Sequence, residues 1–372
     1  MALSKIQFGN IGRRNLIING DMRIAQRGTT HTFQNGTGGY KTVDRWLISE
    51  AGTDSFVFEI SKSTDAPDDF ANSFKVDCTT ADASLSADVQ ISFEQKIEAQ
   101  NLQHLNYGTS SAKTMTFSFY VKSNKTGTYV CWFYAEDGNR SIGRTYTINS
   151  ANTWERKVMT IPGDTAGTIN NDTGSGFRTR FMLGAGSTYT SGTLQTDWGT
   201  ITGTQANRYV GQVNLADDTA NEWYVTGVQL EVGETATEFE HRTIGEELAL
   251  CQRYFISTNP NVLGDAATNQ NSYIMGTGYN SRARFTYYYP TTMRTKPAGT
   301  LVDSSGNGSV AVWHGTTNIA YTGSWTFENT LTSASYYTDT SPSSTINGKA
   351  MMSYMGDENT NYNHYLELNA EL

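Results

Sequence analysis

The stretch Met115-Thr116-Phe117-Ser118-Phe119-Tyr120-Val121-Lys122 decides the fold class. Met115, Phe117, Phe119 and Val121 alternate with Thr116, Ser118, Tyr120 and Lys122, so successive side chains point to opposite faces. A period of two is that of a half-buried β-strand, with Tyr120 on the outer side. Outward from it, 124–127 reads as a turn and 129–135 as a strand apolar on both faces. There the period puts Trp132 and Tyr134 on one face, Cys131 and Phe133 on the other. Glu136-Asp137-Gly138-Asn139 turns the chain again. The same reading predicts strands at 15–20, 44–48, 55–60, 154–161, 177–183 and 223–232. Turn signals at this spacing indicate a sandwich or jelly roll.

Composition agrees. Charged residues make up 17% of the chain, against about 25% in an average soluble domain. Thr, Ser, Asn and Gly take their place while aromatics stay abundant, which suits pleated surfaces better than surface helices. The class is all-β. At 372 residues two domains are expected, since domains typically hold roughly 50–250 residues. The net charge of −9 comes without a basic stripe, so nucleic acid is excluded as a partner. Cys78, Cys131 and Cys251 form no CxxC pair and cannot all pair, which argues against zinc and a disulfide framework. They read as small buried apolar residues, suited to assembly in a reducing cytoplasm. The opening MALSKIQFGNIGRR has no apolar h-region, and no run approaches the ~20 residues of a membrane span. Membrane insertion is not expected, and release to the outside would be by lysis.

Residues 1–14 read as an anchoring arm that needs a partner surface, and 15–242 as a jelly-roll domain. Residues 243–255 read as a linking helix. Thr243 and Glu246 have capping-box spacing, and Leu248, Cys251 and Phe255 share a face at i, i+3, i+7. Residues 256–372 read as a second, sandwich-like β domain with strands at 284–289, 310–313, 323–327 and 365–368. The absence of a collagen-like repeat or sustained heptad excludes a long fibrous shaft. Tyr287-Tyr288-Tyr289, Tyr336-Tyr337 and Met351-Met352-Ser353-Tyr354-Met355 are of interface-forming types, and subunit contact is their expected use.

Several segments resemble one family. Asn15-Leu16-Ile17-Ile18-Asn19-Gly20-Asp21-Met22, Ala25-Gln26-Arg27-Gly28 and Asp44-Arg45-Trp46 resemble the opening of a module common in phage tail fibre and virion appendage proteins. Asn152-Thr153-Trp154-Glu155-Arg156-Lys157 and Ile161-Pro162-Gly163-Asp164-Thr165 look like its middle. Val225-Thr226-Gly227-Val228-Gln229-Leu230-Glu231-Val232-Gly233 and Phe239-Glu240-His241-Arg242 look like its end. Gly245-Glu246-Glu247-Leu248-Ala249-Leu250-Cys251-Gln252-Arg253-Tyr254 is the most specific piece, and Asn369-Ala370-Glu371-Leu372 resembles how such chains finish. The resemblance covers 15–254 and the terminus. It implies a fold like that of jelly-roll carbohydrate-binding modules, a homotrimer, and a tail or capsid appendage assembled in the host cytoplasm. The arm would grip other virion structural proteins. Such modules often hold a structural calcium, partly through an acidic residue just before the last strand. Here Thr226 and Gly227 stand at the expected place, which counts against calcium, and no other cofactor is expected.

Enzyme signatures are missing: no GxSxG, HExxH, Walker loop or GxGxxG after a strand is present. Asp137, Asp164 and Asp197 lie in turn-like text, where Asp caps the backbone, and His241 reads as packing. No catalytic or metal-binding residue is assigned. The candidate glycan-binding residues are Trp132, Tyr134 and Tyr120, because aromatic rings stack on the apolar faces of pyranoses. They form one platform if their strands share a face; otherwise Trp132 and Tyr134 are core or covered. The expected function is a non-enzymatic fibre subunit of a phage virion that contacts host surface polysaccharide. The alternatives are a capsid decoration or head fibre without receptor role, a glycan depolymerase, which needs only two carboxyls at the right separation, and a free bacterial lectin, which the missing signal peptide disfavours.

Overall fold

The computed structural model describes residues 13–258, 272–279, 282–302, 310–314, 317–321, 325–338, 350–355 and 365–372. Residues 1–12 of the predicted arm, Gly323 and the side chains at 351–355 lie outside the described residues. The chain divides into two compact units, Met1–Glu247 with Leu372, and Leu248–Glu371.

In the first unit the strands are β1 (Thr30–Gln34), β2 (Gly39–Tyr40), β3 (Leu47–Ala51), β4 (Val57–Ser63), β5 (Ser73–Thr80), β6 (Gln90–Glu98), β7 (Met115–Ser123), β8 (Gly127–Ala135), β9 (Arg140–Ile148), β10 (Glu155–Ile161), β11 (Ser175–Ala185), β12 (Gly199–Thr200) and β13 (Glu222–Val232). They make a jelly-roll β-sandwich of two antiparallel sheets. Sheet I runs β1-β4-β5-β13-β7-β10, and sheet II runs β12-β9-β8-β11-β6-β3-β2. The alternating stretch is β7, whose Met115, Phe117, Phe119 and Val121 are buried between the sheets. Phe117 and Phe119 meet Phe181 of sheet II at 5.5 and 4.9 Å between ring centroids. Trp46 and Phe74 stack on Phe93 at 4.7 and 3.8 Å. The three cysteines are free and buried. Edge strand β10 carries Glu155, Arg156 and Lys157, charges of the kind that discourage pairing with another chain.

The predicted strand at 15–20 is not one, and that at 44–48 is strand only from Leu47. Over 15–20 the backbone is tied by side chains instead. Asn15 Oδ1 accepts the Ile17 and Leu230 N–H groups (both 3.0 Å), and Asn19 takes a φ of 57°. Asp44-Arg45-Trp46 turns, with Arg45 at φ 71°, and β3 begins only at Leu47. The two segments knit together: Asn19 Nδ2 donates to the Asp44 carbonyl (3.0 Å), and Trp46 Nε1 to the Asn19 carbonyl (3.0 Å). Buried polar groups paired in this way hold the segments in one arrangement.

The helix α1 spans Ile244–Gln252, and the division between the units falls inside it. Its capping box forms: Glu246 accepts the Thr243 N–H (3.0 Å), and the Glu246 N–H donates to Thr243 Oγ1 (3.3 Å). Cys251 is buried but Leu248 only half-buried. Phe255 does not belong to the helical face. The chain turns at Arg253 and Tyr254, where the Tyr254 N–H donates to the Cys251 carbonyl (2.9 Å), and Phe255 pairs in a strand with Asn369.

Among its described residues the second unit has two antiparallel sheets. One holds Phe255–Ser257, Tyr365–Asn369 and Ala298–Val302. The other runs Thr317–Tyr321, Val310–His314, Ala350–Met355, Ser272–Tyr279, Arg282–Tyr288, Ser333–Thr338 and Trp325–Asn329. Its core includes Ile256, Phe285, Met293, Tyr336, Leu366 and Leu368. No helix of the described residues is long and apolar enough to cross a membrane.

Candidate functional site

Strand β8 has two apolar faces, and only one joins the main core. Cys131, Phe133 and Ala135 are buried between the sheets, whereas Val130, Trp132 and Tyr134 point to the outer side of sheet II. On β11, directly opposite, Arg178 pairs with Tyr134 and Arg180 with Trp132. On β6, Lys96 lies opposite Arg178 and Glu94 opposite Arg180. Register therefore lines up two cross-strand rows, Tyr134–Arg178–Lys96 and Trp132–Arg180–Glu94.

Each guanidinium lies beside an aromatic ring, Arg178 Cζ 5.9 Å from the Tyr134 centroid and Arg180 Cζ 5.3 Å from that of Trp132, within cation–π range. Trp132 and Tyr134 stack at 5.1 Å. Glu94, 1% exposed, binds both arginines, Arg180 Nε at 2.5 Å and Arg178 at 3.3 Å. Glu136 holds the other end of the Arg178 guanidinium. Arg180 also donates to the Tyr209 hydroxyl (3.1 Å), which donates to Gln90 (2.9 Å). Burial opposes the Arg180 charge, but Glu94 and Tyr209 outweigh it and raise the pKa. Burial and the Arg178 charge push the Lys96 amine down, against Glu94, and Lys96 donates to the Leu372 carbonyl (3.1 Å). Burial, then Glu136, pushes the Tyr134 hydroxyl up. Tyr134 donates to Asn139 Oδ1 (3.0 Å) and keeps partial exposure. These side chains are fixed before any ligand arrives.

The three predicted glycan residues do not share a platform. Tyr120 lies on β7, on the outer side of sheet I, where it packs on Phe70 (5.4 Å). Trp132 is 4% exposed, because Tyr209, Tyr189, Leu194 and Ile201 cover it in a small cluster of its own. On sheet II, Tyr134 is the one of the two that stays partly exposed. The sequence reading missed Arg178, Arg180, Glu94 and Glu136. The signal that could have found the arginines was their alternation in Phe177-Arg178-Thr179-Arg180-Phe181, a strand otherwise apolar on its inner side. Sheet I has its own row, Trp154, Lys122, Tyr224 and Lys75, with Lys122 Nζ 4.4 Å from the Tyr224 centroid. Its lysines are paired with Asp65, Asp77 and Glu222. Asp164 pairs with Arg140 (2.7 Å) and Asp137 accepts from Asn170, so both serve the fold. His241 packs on Phe239 and Phe70.

The calcium position also needs correcting. Thr226 and Gly227 lie inside β13, not before it. The nearest acidic residues before this last strand of the sandwich, which begins at Glu222, are Asp217 and Asp218. Lys125 Nζ contacts both Asp217 oxygens (2.7 and 2.6 Å), and Asn221 Nδ2 adds a third hydrogen bond (2.7 Å). A carboxylate already saturated by an ammonium does not fit a calcium ligand. Among the described residues no group of three or more His, Cys, Asp or Glu could hold a metal.

No protein-family model matches this chain, and no curated protein matches it. Solved structures give similarities of fold. One is the enzymatically active domain of tailspike protein 4 of bacteriophage CBA120, at 15% identity and a TM-score of 0.31, covering 59% of this chain and 21% of that one. Another is the family 11 carbohydrate-binding module from Clostridium thermocellum, bound to a mixed-linked tetrasaccharide, at 12% identity and a TM-score of 0.27, covering 57% and 98%. A third is TmCBM61 in complex with β-1,4-galactotriose, at 7% identity and a TM-score of 0.28, covering 59% and 100%. The chain thus spans about a fifth of the tailspike chain's length.

Proposed function

We propose that this chain is a non-enzymatic appendage subunit of a bacteriophage virion, and that its N-terminal sandwich holds host surface glycans on the outer face of sheet II. The observation that carries this is the Tyr134–Arg178 pair with its two carboxylates. A partly exposed ring offers a stacking face, and the guanidinium beside it is held from both ends by Glu94 and Glu136. Groups held in place before binding lose little freedom when a ligand arrives, which favours affinity from few contacts. A sugar presents the matching chemistry, an apolar ring face edged with hydroxyls that both donate and accept.

The sequence resemblance at 15–28 and 245–254 supports the virion assignment and a homotrimer. Among the described residues of the second unit, Tyr288, 77% exposed, and Leu331, 46% exposed, are the large apolar side chains open to a subunit contact. Glu94 and Glu136 are both paired with arginine, which is the use the fold makes of them. The test is incubation of the full chain with host envelope polysaccharide, reading co-sedimentation and release of reducing ends. Retention of the protein on polysaccharide without new reducing ends is expected. Reducing ends that accumulate with time and vanish in Glu136→Gln would overturn the non-enzymatic assignment.

A further inference from the structure

The turn after β7 meets the segment before β13 at a place crowded with oxygen atoms. Asp217 contributes its carboxylate, and Leu215, Ala220, Glu222 and Lys125 contribute carbonyls. Each carbonyl is taken by a side chain of the protein. Asn221 Nδ2 donates to Leu215 (3.0 Å), Asn124 Nδ2 to Ala220 (2.8 Å), Ser123 Oγ to Glu222 (2.5 Å) and the Tyr129 hydroxyl to Lys125 (2.9 Å). Asn124 Oδ1 in turn accepts the Glu222 N–H (2.7 Å). Among the described residues, the cation in contact with the carboxylate is the Lys125 ammonium, on both oxygens. A calcium ion needs about six to eight oxygen ligands free to turn toward it, and here they are committed to N–H and O–H donors.

We infer that this joint needs no metal, and that Lys125 supplies from within the chain the positive charge that the sequence resemblance would have assigned to calcium. A tethered ammonium cannot dissociate, so the joint between the β7–β8 turn and the last strand does not vary with the calcium of the medium. The consequence for an attachment protein is adsorption that survives chelators.

Calorimetry of the full chain, in chelator and in millimolar calcium, tests this. Wild type should melt at the same temperature in both, within about a degree. Lys125→Met and Asp217→Asn should each lower the first unit's transition by a few degrees. The double variant should melt no lower than the worse single one, because both remove the same contact. A wild-type shift of several degrees on adding calcium would overturn the inference, as would losses in the two variants that simply add. Should Lys125→Met fail to fold, the wild-type comparison still decides.

Discussion

Trp132 and Tyr134 stand two residues apart on one strand and have different surroundings. The covering segment buries Trp132 against Met182 and Tyr209, so Trp132→Ala should cost about 3–5 kcal/mol. A denaturant midpoint close to wild type would show that the cover is loose. Tyr134→Ala should lower that midpoint less than Trp132→Ala, because the ring is only half-buried at the edge of the same cluster. Glu94 is the residue the sequence hid most completely. A glutamate inside Ile91-Ser92-Phe93-Glu94-Gln95-Lys96 reads as a solvent-facing charge, and only the cross-strand register reveals two arginines converging on it. Glu94→Ala leaves both cations without their shared partner. Breaking a buried pair from one side typically costs about 3–5 kcal/mol, so chemical denaturation should show one of the largest single losses in the sandwich.

At the scale of elements, strands with strict alternation were legible and side-chain-built turns were not. β7 follows from its own period, and β10 and β13 lie where their apolar residues recur. The segments at 15–20 and 44–46 mimic strands in composition, but Asn15, Asn19 and Asp44 divert the backbone into turns that no period records. The helix was readable from its cap, yet its end was not, since Phe255 continues the helical spacing while its backbone pairs as a strand. The β9–β10 connection allows a test. Glu155 accepts the Asn149 and Ser150 N–H groups (2.8 and 2.9 Å) and pairs with Lys157 (2.6 Å). Burial opposes its charge, but Lys157 and these N–H groups outweigh it and hold the carboxyl down at about 2. A carboxyl with a depressed folded pKa stabilises fully above its unfolded value of about 4.3, and that contribution is lost as pH falls toward 2. Melting temperature should therefore drop over that window, and Glu155→Gln should flatten the drop. An identical pH profile in the variant would contradict this.

For the whole molecule, composition alone gave the all-β class, because few charged residues and many aromatics leave little material for surface helices. Which of the predicted aromatics share a surface was not legible, since Tyr120 and Tyr134 alternate alike on strands that belong to opposite sheets. A period assigns a face but not a sheet. Assembly is the next test. The resemblance at 15–28 and 245–254 leads us to expect a homotrimer by light scattering at micromolar concentration, with the exposed Tyr288 and Leu331 as candidate contacts, and a monomer there would rule it out.

The central claim is that sheet II, not sheet I, carries the glycan. Its most direct measurement is calorimetric titration of oligosaccharides from the host envelope into three full-length proteins: wild type, Tyr134→Ala, and Tyr120→Ala as the control on the opposite sheet. We predict affinity at least about tenfold weaker for Tyr134→Ala, equivalent to about 1.4 kcal/mol, with Tyr120→Ala binding like wild type and both variants folded. Undiminished binding by a folded Tyr134→Ala, or a loss confined to Tyr120→Ala, would contradict the account.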